Sequence, residues 1–261
     1  MYIRTVAGII VMLATIITTS STPLLIKRIV SGTPIEEGEL PVFAELINVD
    51  GEALGCGGSL IGPHTIVTAG HCMDGRGIGS VYLGSIVSGK GKQLEVVTTV
   101  LHPEYNDLFH NDIRLVFLSE KVDGPYASFE GMSHPVEAST VTVAGYGMTS
   151  YNGSYSPVLL KVQVTIGSEA ECAEHMNQDG HFFDPKTQVC ATDNGYSACV
   201  GDSGGPLYTG RGKNIDIVGV ISGSSDVDEC GEKGTYQYFT FIKPFIPWIK
   251  SEVEKFEKER N

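Results

Sequence analysis

Short apolar runs rich in Val, Ile and Thr recur down the chain, and glycine or proline closes each within a few residues. This rhythm constrains the fold more than any other feature. Runs of this length suit strands, and the breaks suit tight turns. Val42 to Val49 ends on Asp50-Gly51, a pair that accepts the left-handed dihedrals of a hairpin. Ser59 to Ala69 carries apolar residues around Gly62-Pro63, and Leu94 to Leu101 is rich in Val and Thr. Ile113 to Leu118, Thr140 to Ala144, Leu159 to Ile166 and Ile215 to Ile221 are further short runs. With 32 Gly and 12 Pro among 261 residues, the pattern predicts an all-β chain built as a barrel or a sandwich. No internal repeat interrupts it. Lys121 to Ala138 is poor in strand signals and reads as a linker between two halves. The last segment differs: Ile249, Val253 and Phe256 fall at helical spacing behind Pro247, a residue suited to a first helical turn. An amphipathic helix is expected over Pro247 to Glu259, docked on the chain's own core rather than on a partner.

The N-terminus speaks for the compartment. Arg4 precedes an uncharged apolar stretch from Thr5 to Ile17, and small residues follow at Thr18 and Ser20. This reads as a secretory signal over residues 1–20. The stretch is too short for a membrane span, which needs ~20 apolar residues. A secreted, extracellular, soluble product is expected, with no membrane partner. Six cysteines (Cys56, Cys72, Cys172, Cys190, Cys199 and Cys230) fit an oxidising environment. Six allow about 15 pairings, and spacing alone does not choose among them. No C-x-x-C pair is present, so zinc is not expected. The chain carries 18 Lys+Arg against 31 Asp+Glu, a formal charge of -13, which argues against nucleic acid as a partner. Asn152-Gly153-Ser154 is a glycosylation sequon.

Three segments carry chemical interest. Gly201-Asp202-Ser203-Gly204-Gly205-Pro206 is a glycine-flanked serine turn. Such a turn can expose a hydroxyl beside outward backbone N–H groups, although most Gly-rich serine turns are only turns. Thr68-Ala69-Gly70-His71-Cys72 puts a histidine after an apolar run and beside a cysteine. Asn111-Asp112-Ile113 puts a carboxylate at the mouth of a strand. Each has a bland reading when taken alone. Lys27-Arg28 before Ile29-Val30-Ser31-Gly32 is equally a processing site or a charged turn.

In the order His, Asp, Ser, these segments resemble the chymotrypsin/trypsin family of serine proteases. The resemblance runs from Ile29 to about Lys250. It includes the Ile-Val-x-Gly start, Cys56-Gly57-Gly58-Ser59-Leu60, the Ala-x-His-Cys segment, Asn-Asp-Ile, the Gly-Asp-Ser-Gly-Gly-Pro turn and Trp248-Ile249. It implies two six-stranded antiparallel β-barrels packed together with a C-terminal α-helix. Residues 21–28 would be a short activation propeptide and residues 29–261 a peptidase domain, with the inter-barrel linker near 121–138.

The family's mechanism is a standard template, so the roles are carried over from it. Ser203 would be the nucleophile, His71 the general base and then acid, and Asp112 the partner that orients the imidazole. N–H groups of Gly201 and Ser203 would form the oxyanion hole. Ser222 matches a family serine that hydrogen-bonds the triad aspartate. Cutting after Arg28 would free the Ile29 α-amino group to pair with buried Asp202. Residues 1–28 hold three basic side chains (Arg4, Lys27, Arg28) and no acidic one, so the cut chain carries 15 against 31, or -16. Family spacing implies the disulfides Cys56–Cys72, Cys172–Cys190 and Cys199–Cys230. In the chain-entropy view each contributes about 3 kcal/mol.

The resemblance puts Ser197 at the base of the specificity pocket, with Ser222, Ser224 and Gly234 around it. A neutral base leaves a substrate cation unpaired, so an apolar residue before the cut is expected. Ser222-Gly223-Ser224 lacks the family's usual Trp, and Ser224 adds a side chain to the wall. Asp226, Asp228 and Glu229 add negative charge. After Leu83-Gly84 the chain lacks the carboxylates of a calcium loop, and no metal or cofactor is implied. His64, His102, His110, His134, His175 and His181 belong to no motif, and surface or structural roles are expected of them.

The implied partners are peptide or protein substrates, an activating protease and protein inhibitors, and a monomer is expected. The alternative is a catalytically weak or inactive relative that acts as a protein-binding module or inhibitor. The altered pocket wall is its only support. A lipase or esterase is disfavoured because the triad order differs from that of the α/β-hydrolases.

Overall fold

The computed structural model describes residues 32–260, apart from 74, 76, 107, 132–135, 179–181, 193–194, 226–229 and 232–233. The signal, the propeptide, Arg28, Ile29, His134, His181 and the acids at 226–229 lie outside the described residues.

After a short strand β1 (Thr33–Pro34), six strands follow in the first half: β2 (Phe43–Asn48), β3 (Ala53–Gly62), β4 (Thr65–Thr68), β5 (Ile78–Leu83), β6 (Lys92–Leu101) and β7 (Arg114–Leu118). They close antiparallel in the order β2-β3-β4-β7-β6-β5. Six more strands, β8 (Thr140–Gly145), β9 (Leu160–Ile166), β10 (Gln188–Thr192), β11 (Pro206–Arg211), β12 (Asn214–Ser224) and β13 (Tyr236–Phe241), form the second half. They run in the order β9-β10-β13-β12-β11-β8, and β8 pairs with β9 to close the ring. The architecture is two closed six-stranded antiparallel barrels, joined by residues 119–139.

Alternation drives each closure, because residues two apart share a face. In β9, Leu160, Val162, Val164 and Ile166 are buried while Gln163 between them is exposed. Leu46, Leu60, Ile66, Leu94 and Leu115 help to fill the first barrel, and Val143, Val164, Leu207 and Phe239 the second. Phe43 meets Tyr146 edge-on at 5.5 Å where the barrels face each other.

The termini cross over. β1 precedes the first barrel yet pairs with β9 of the second, with Thr33 opposite Lys161. A single 3₁₀ turn, Lys243–Phe245, leads from the second barrel into helix α2 (Ile246–Arg260), which returns to the first. Phe256 stacks on Phe117 at 4.4 Å, and His64 Nδ1 bonds Glu257 Oε1 at 2.9 Å. The helix starts one residue earlier and ends one later than its sequence pattern predicts, and it docks on the chain's own core.

A second helix, α1 (Glu169–Gln178), was absent from the expected elements. Its start is a capping box. Glu171 N–H donates to Ser168 Oγ at 3.2 Å, and Ser168 N–H donates back to Glu171 Oε2 at 3.0 Å. The disulfide Cys172–Cys190 pins α1 to β10. Cys56–Cys72 and Cys199–Cys230 complete the set, and no cysteine is free.

Candidate active site

Register brings the histidine and the aspartate together. Thr68 at the end of β4 pairs with Arg114 at the start of β7. His71 lies three residues beyond the first and Asp112 two before the second, so both emerge at the same barrel end. Asp112 is fully buried. Its Oδ1 accepts the His71 backbone N–H at 2.9 Å, and its Oδ2 faces His71 Nδ1 at 2.8 Å. Ser222 Oγ donates to the same Oδ2 at 2.6 Å, and Thr240 Oγ1 donates to the Asp112 carbonyl at 2.8 Å. Both carboxylate oxygens are thus hydrogen-bonded, which holds Asp112 and the His71 ring in one mutual orientation.

The serine arrives from the other barrel. Ser203 precedes β11, and its carbonyl accepts the Gly57 N–H of β3 at 2.8 Å, which ties the turn across the barrel interface. Gly204 N–H donates to the Ile221 carbonyl at 2.9 Å, one residue before Ser222. Gly201 holds φ +97, a conformation that favours glycine. A Cβ there would also collide with the Tyr155 ring. Ser203, Gly201 and His71 line one cleft of about 440 Å³, together with Cys56, Phe109, Ala198, Cys199, Ser222, Ser224 and Gln237.

Asp202 points the other way, into the protein. It is buried, with Gly147 N–H donating to Oδ1 at 2.7 Å and Cys199 N–H to Oδ2 at 2.9 Å. Burial pushes its carboxyl up to about 7 against those two donors. A Cβ at Gly147 would come within 2.5 Å of the carboxylate, so glycine makes the cradle possible.

The remaining predicted residues are distributed as follows. Ser197, expected at the pocket base, is fully buried beside Ala198 and is not itself among the lining residues. Ser224 and Ser222 line the cleft. Gly234, at φ +97 with open space about its Cα, is not among the lining residues. Asn152, at φ 54, sits on an exposed turn. His102 packs edge-on against Phe245 and Trp248, His110 stacks on Phe182, and His175 stacks on Tyr236. Among the described residues the one close grouping of possible metal ligands is Cys56, His71 and Cys72. Its two sulfurs are joined to each other, so it offers no thiolate.

Sequence reasoning missed four residues here. Arg114, which is buried, donates from Nε and Nη2 to the Gly70 carbonyl at 3.3 and 3.1 Å, and from Nη1 to Thr99 Oγ1 at 3.0 Å. Its signal was a cation at the head of the apolar run Leu115 to Leu118. Phe109, at φ 61, turns its ring edge-on to His71 at 5.5 Å. Thr240 and Gln237 lie on β13, which no apolar run had flagged. Gln237 is a polar residue at an inward position, two before the core residue Phe239.

A family model described as Trypsin matches residues 29–249. Mannan-binding lectin serine protease 1 of Mus musculus is 31% identical over 258 residues, which cover 86% of this chain and 35% of that protein. A venom serine protease of Polistes dominula is 32% identical over 215 residues, 75% of this chain and 76% of that protein. Trypsin iota of Drosophila melanogaster is 31% identical over 201 residues, 73% and 77% of the two chains. The chain thus spans about a third of the first relative and three quarters of the others. With two barrels, three disulfides and a match over most of its length, the chain belongs to the trypsin family of serine proteases.

Proposed function

We propose that the chain is a secreted serine endopeptidase, made as a precursor and activated by a cut after Arg28. The observation that carries this reading is the buried Asp112–His71 pair, braced by Ser222 and opening on the same cleft as Ser203. His71 Nε2 takes the Ser203 proton as Oγ attacks the scissile carbonyl. The oxyanion is received by the N–H groups of Gly201 and Ser203. His71 then protonates the leaving amine, and water, activated by the same imidazole, releases the acyl group. Asp112 stabilises the imidazolium and holds its orientation throughout.

Asp202 supports the latch. A carboxyl driven up to about 7 by burial is a receptor for a cation, and the Ile29 α-amino group is the cation that a cut after Arg28 would supply. The cleft is suited to an uncharged, largely apolar side chain before the scissile bond. Ala198, Ile221 and the Cys199–Cys230 disulfide form apolar walls, Ser197, buried beside the lining residue Ala198, is neutral, and among the described residues no carboxylate lines the cleft. Peptides or proteins are the substrates, and an activating protease and protein inhibitors are the further partners of a monomer. Secretion rests on the N-terminal leader, and among the described residues no helix is long and apolar enough to cross a membrane.

A fluorophosphonate probe tests the reading. The cut protein should label at Ser203, and His71→Ala should abolish the labelling. A correctly cut protein that never labels would instead support the non-catalytic, partner-binding alternative.

A further inference from the structure

We propose that Gln237 makes the floor of the cleft a hydrogen-bond acceptor, selecting an uncharged residue before the scissile bond whose apolar stem ends in an N–H or O–H donor. The proposal rests on the peptidase reading above and names its substrate class.

Two buried polar atoms are stranded here. Gln237 is buried, yet it is among the residues that line the cleft. Its Nε2 donates to the Ala198 carbonyl at 3.0 Å. That bond fixes the amide, because a flipped group would set two oxygens against each other. The other end, Oε1, is buried without a partner. Ser197 Oγ, one residue before Ala198, is likewise buried without a partner. Buried polar atoms are seldom left unmatched unless something else comes to match them.

The strand pattern explains why the site exists. Side chains on β13 alternate, so Gln237 shares a face with Phe239 and Phe241, which fill the second barrel. An apolar residue would satisfy that face. The glutamine instead stands opposite Ser224 of β12, which also lines the cleft. The neighbouring wall stays open, since a Cβ at Gly223 would meet nothing within 4 Å. The cleft therefore combines apolar sides with one fixed acceptor.

The chemistry separates isosteres. A Tyr hydroxyl, a Gln amide or an Asn amide can donate to Oε1. Phe, Met and Leu fill similar space and leave the oxygen unmatched. A site built around a buried polar group penalises the analogue that cannot pair with it. Lys and Arg also carry donors, but their charge would be buried with no carboxylate among the described lining residues.

The experiment compares matched peptides that differ only at this position, in the pairs Tyr/Phe, Gln/Met and Asn/Leu. Two readouts are taken: kcat/KM with the cut protein, and affinity of the same peptides for the cut Ser203→Ala protein. The donor-bearing member is expected to win by about 10- to 100-fold in both. In Gln237→Leu the advantage is expected to vanish or reverse. Equal values within the pairs, or a preference for Lys or Arg peptides, would overturn the proposal. If no peptide is cut and no probe labels, the peptidase reading fails. The affinities of the Ser203→Ala protein then still decide the floor's selectivity. The pair comparison in the unaltered chain needs no variant, so it decides the matter even if Gln237→Leu misfolds.

Discussion

Replacing Arg114 with Met tests whether His71, the proposed general base, is held from behind. The guanidinium makes three hydrogen bonds, two of them to the carbonyl of Gly70, the residue before His71. Methionine fills similar space but donates nothing, so the Gly70 carbonyl loses both donors and Thr99 Oγ1 loses one. An acceptor stripped of its partner inside a protein costs about 1–3 kcal/mol. Part of that is recovered, because burial also disfavours the Arg114 cation. A net loss of about 2 kcal/mol in urea unfolding of the Ser203→Ala background is expected. The effect on turnover is larger than a fold defect alone would give. With Gly70 released, the segment carrying His71 can slip against Asp112, and a displacement of ~1 Å costs up to about 100-fold in rate. We expect kcat to fall about 10- to 100-fold with KM nearly unchanged. Arg114→Lys keeps the charge but not the fork, so it should leave kcat low. An Arg114→Met protein with native kcat would refute the idea.

Two further outcomes concern pH. In an uncut precursor locked by Arg28→Gln and Ser203→Ala, Asp202 ionises near 3.8 when unfolded and at about 7 when folded. The folded state holds the extra proton between those values, so stability should fall as pH rises from 4 to 8, by up to about 4 kcal/mol. Denaturant unfolding at pH 5 and pH 8 reads this, and a slope unaltered by Asp202→Asn would sink it. In the cut form the Ile29 amine should suppress the slope, and activity should instead fall at high pH as the amine loses its proton. Burial against Phe245 and Trp248 lowers the His102 pKa, with Glu104 opposing. Because the unfolded chain takes up that proton first, stability should drop as pH falls below about 6.5. His102→Phe should flatten this part of the thermal unfolding profile, and an identical profile would contradict the assignment.

Much of this molecule is legible in its residues, and the gaps have physical causes. The glycine-flanked Ser203 and the strand-end Asp112 stand out because their local chemistry is unusual. The cysteine pairings do not follow from spacing, since pairing is decided by which strands meet, and only the family likeness selects among them. Strands β5, β10, β11 and β13 carry Gly, Gln or Tyr where a run of aliphatic residues would flag a strand, and their neighbours supply the missing burial. Helix α1 sets Cys172 among mostly polar residues rather than in an apolar run, yet Ser168 and Glu171 mark an explicit start for it. Arg114 and Gln237 break the apolar pattern of their own strands. Such local conflicts mark residues whose partners lie elsewhere in the chain.

The exchange of terminal segments has a consequence for how the chain is made. The barrel synthesised first waits for its outer support until the 15-residue helix α2, which follows the second barrel, has been made. The later barrel, in turn, borrows an edge strand from the start of the described chain. Neither half is self-sufficient, so a fragment ending after either barrel should fail to hold its shape, and the whole should melt as one unit.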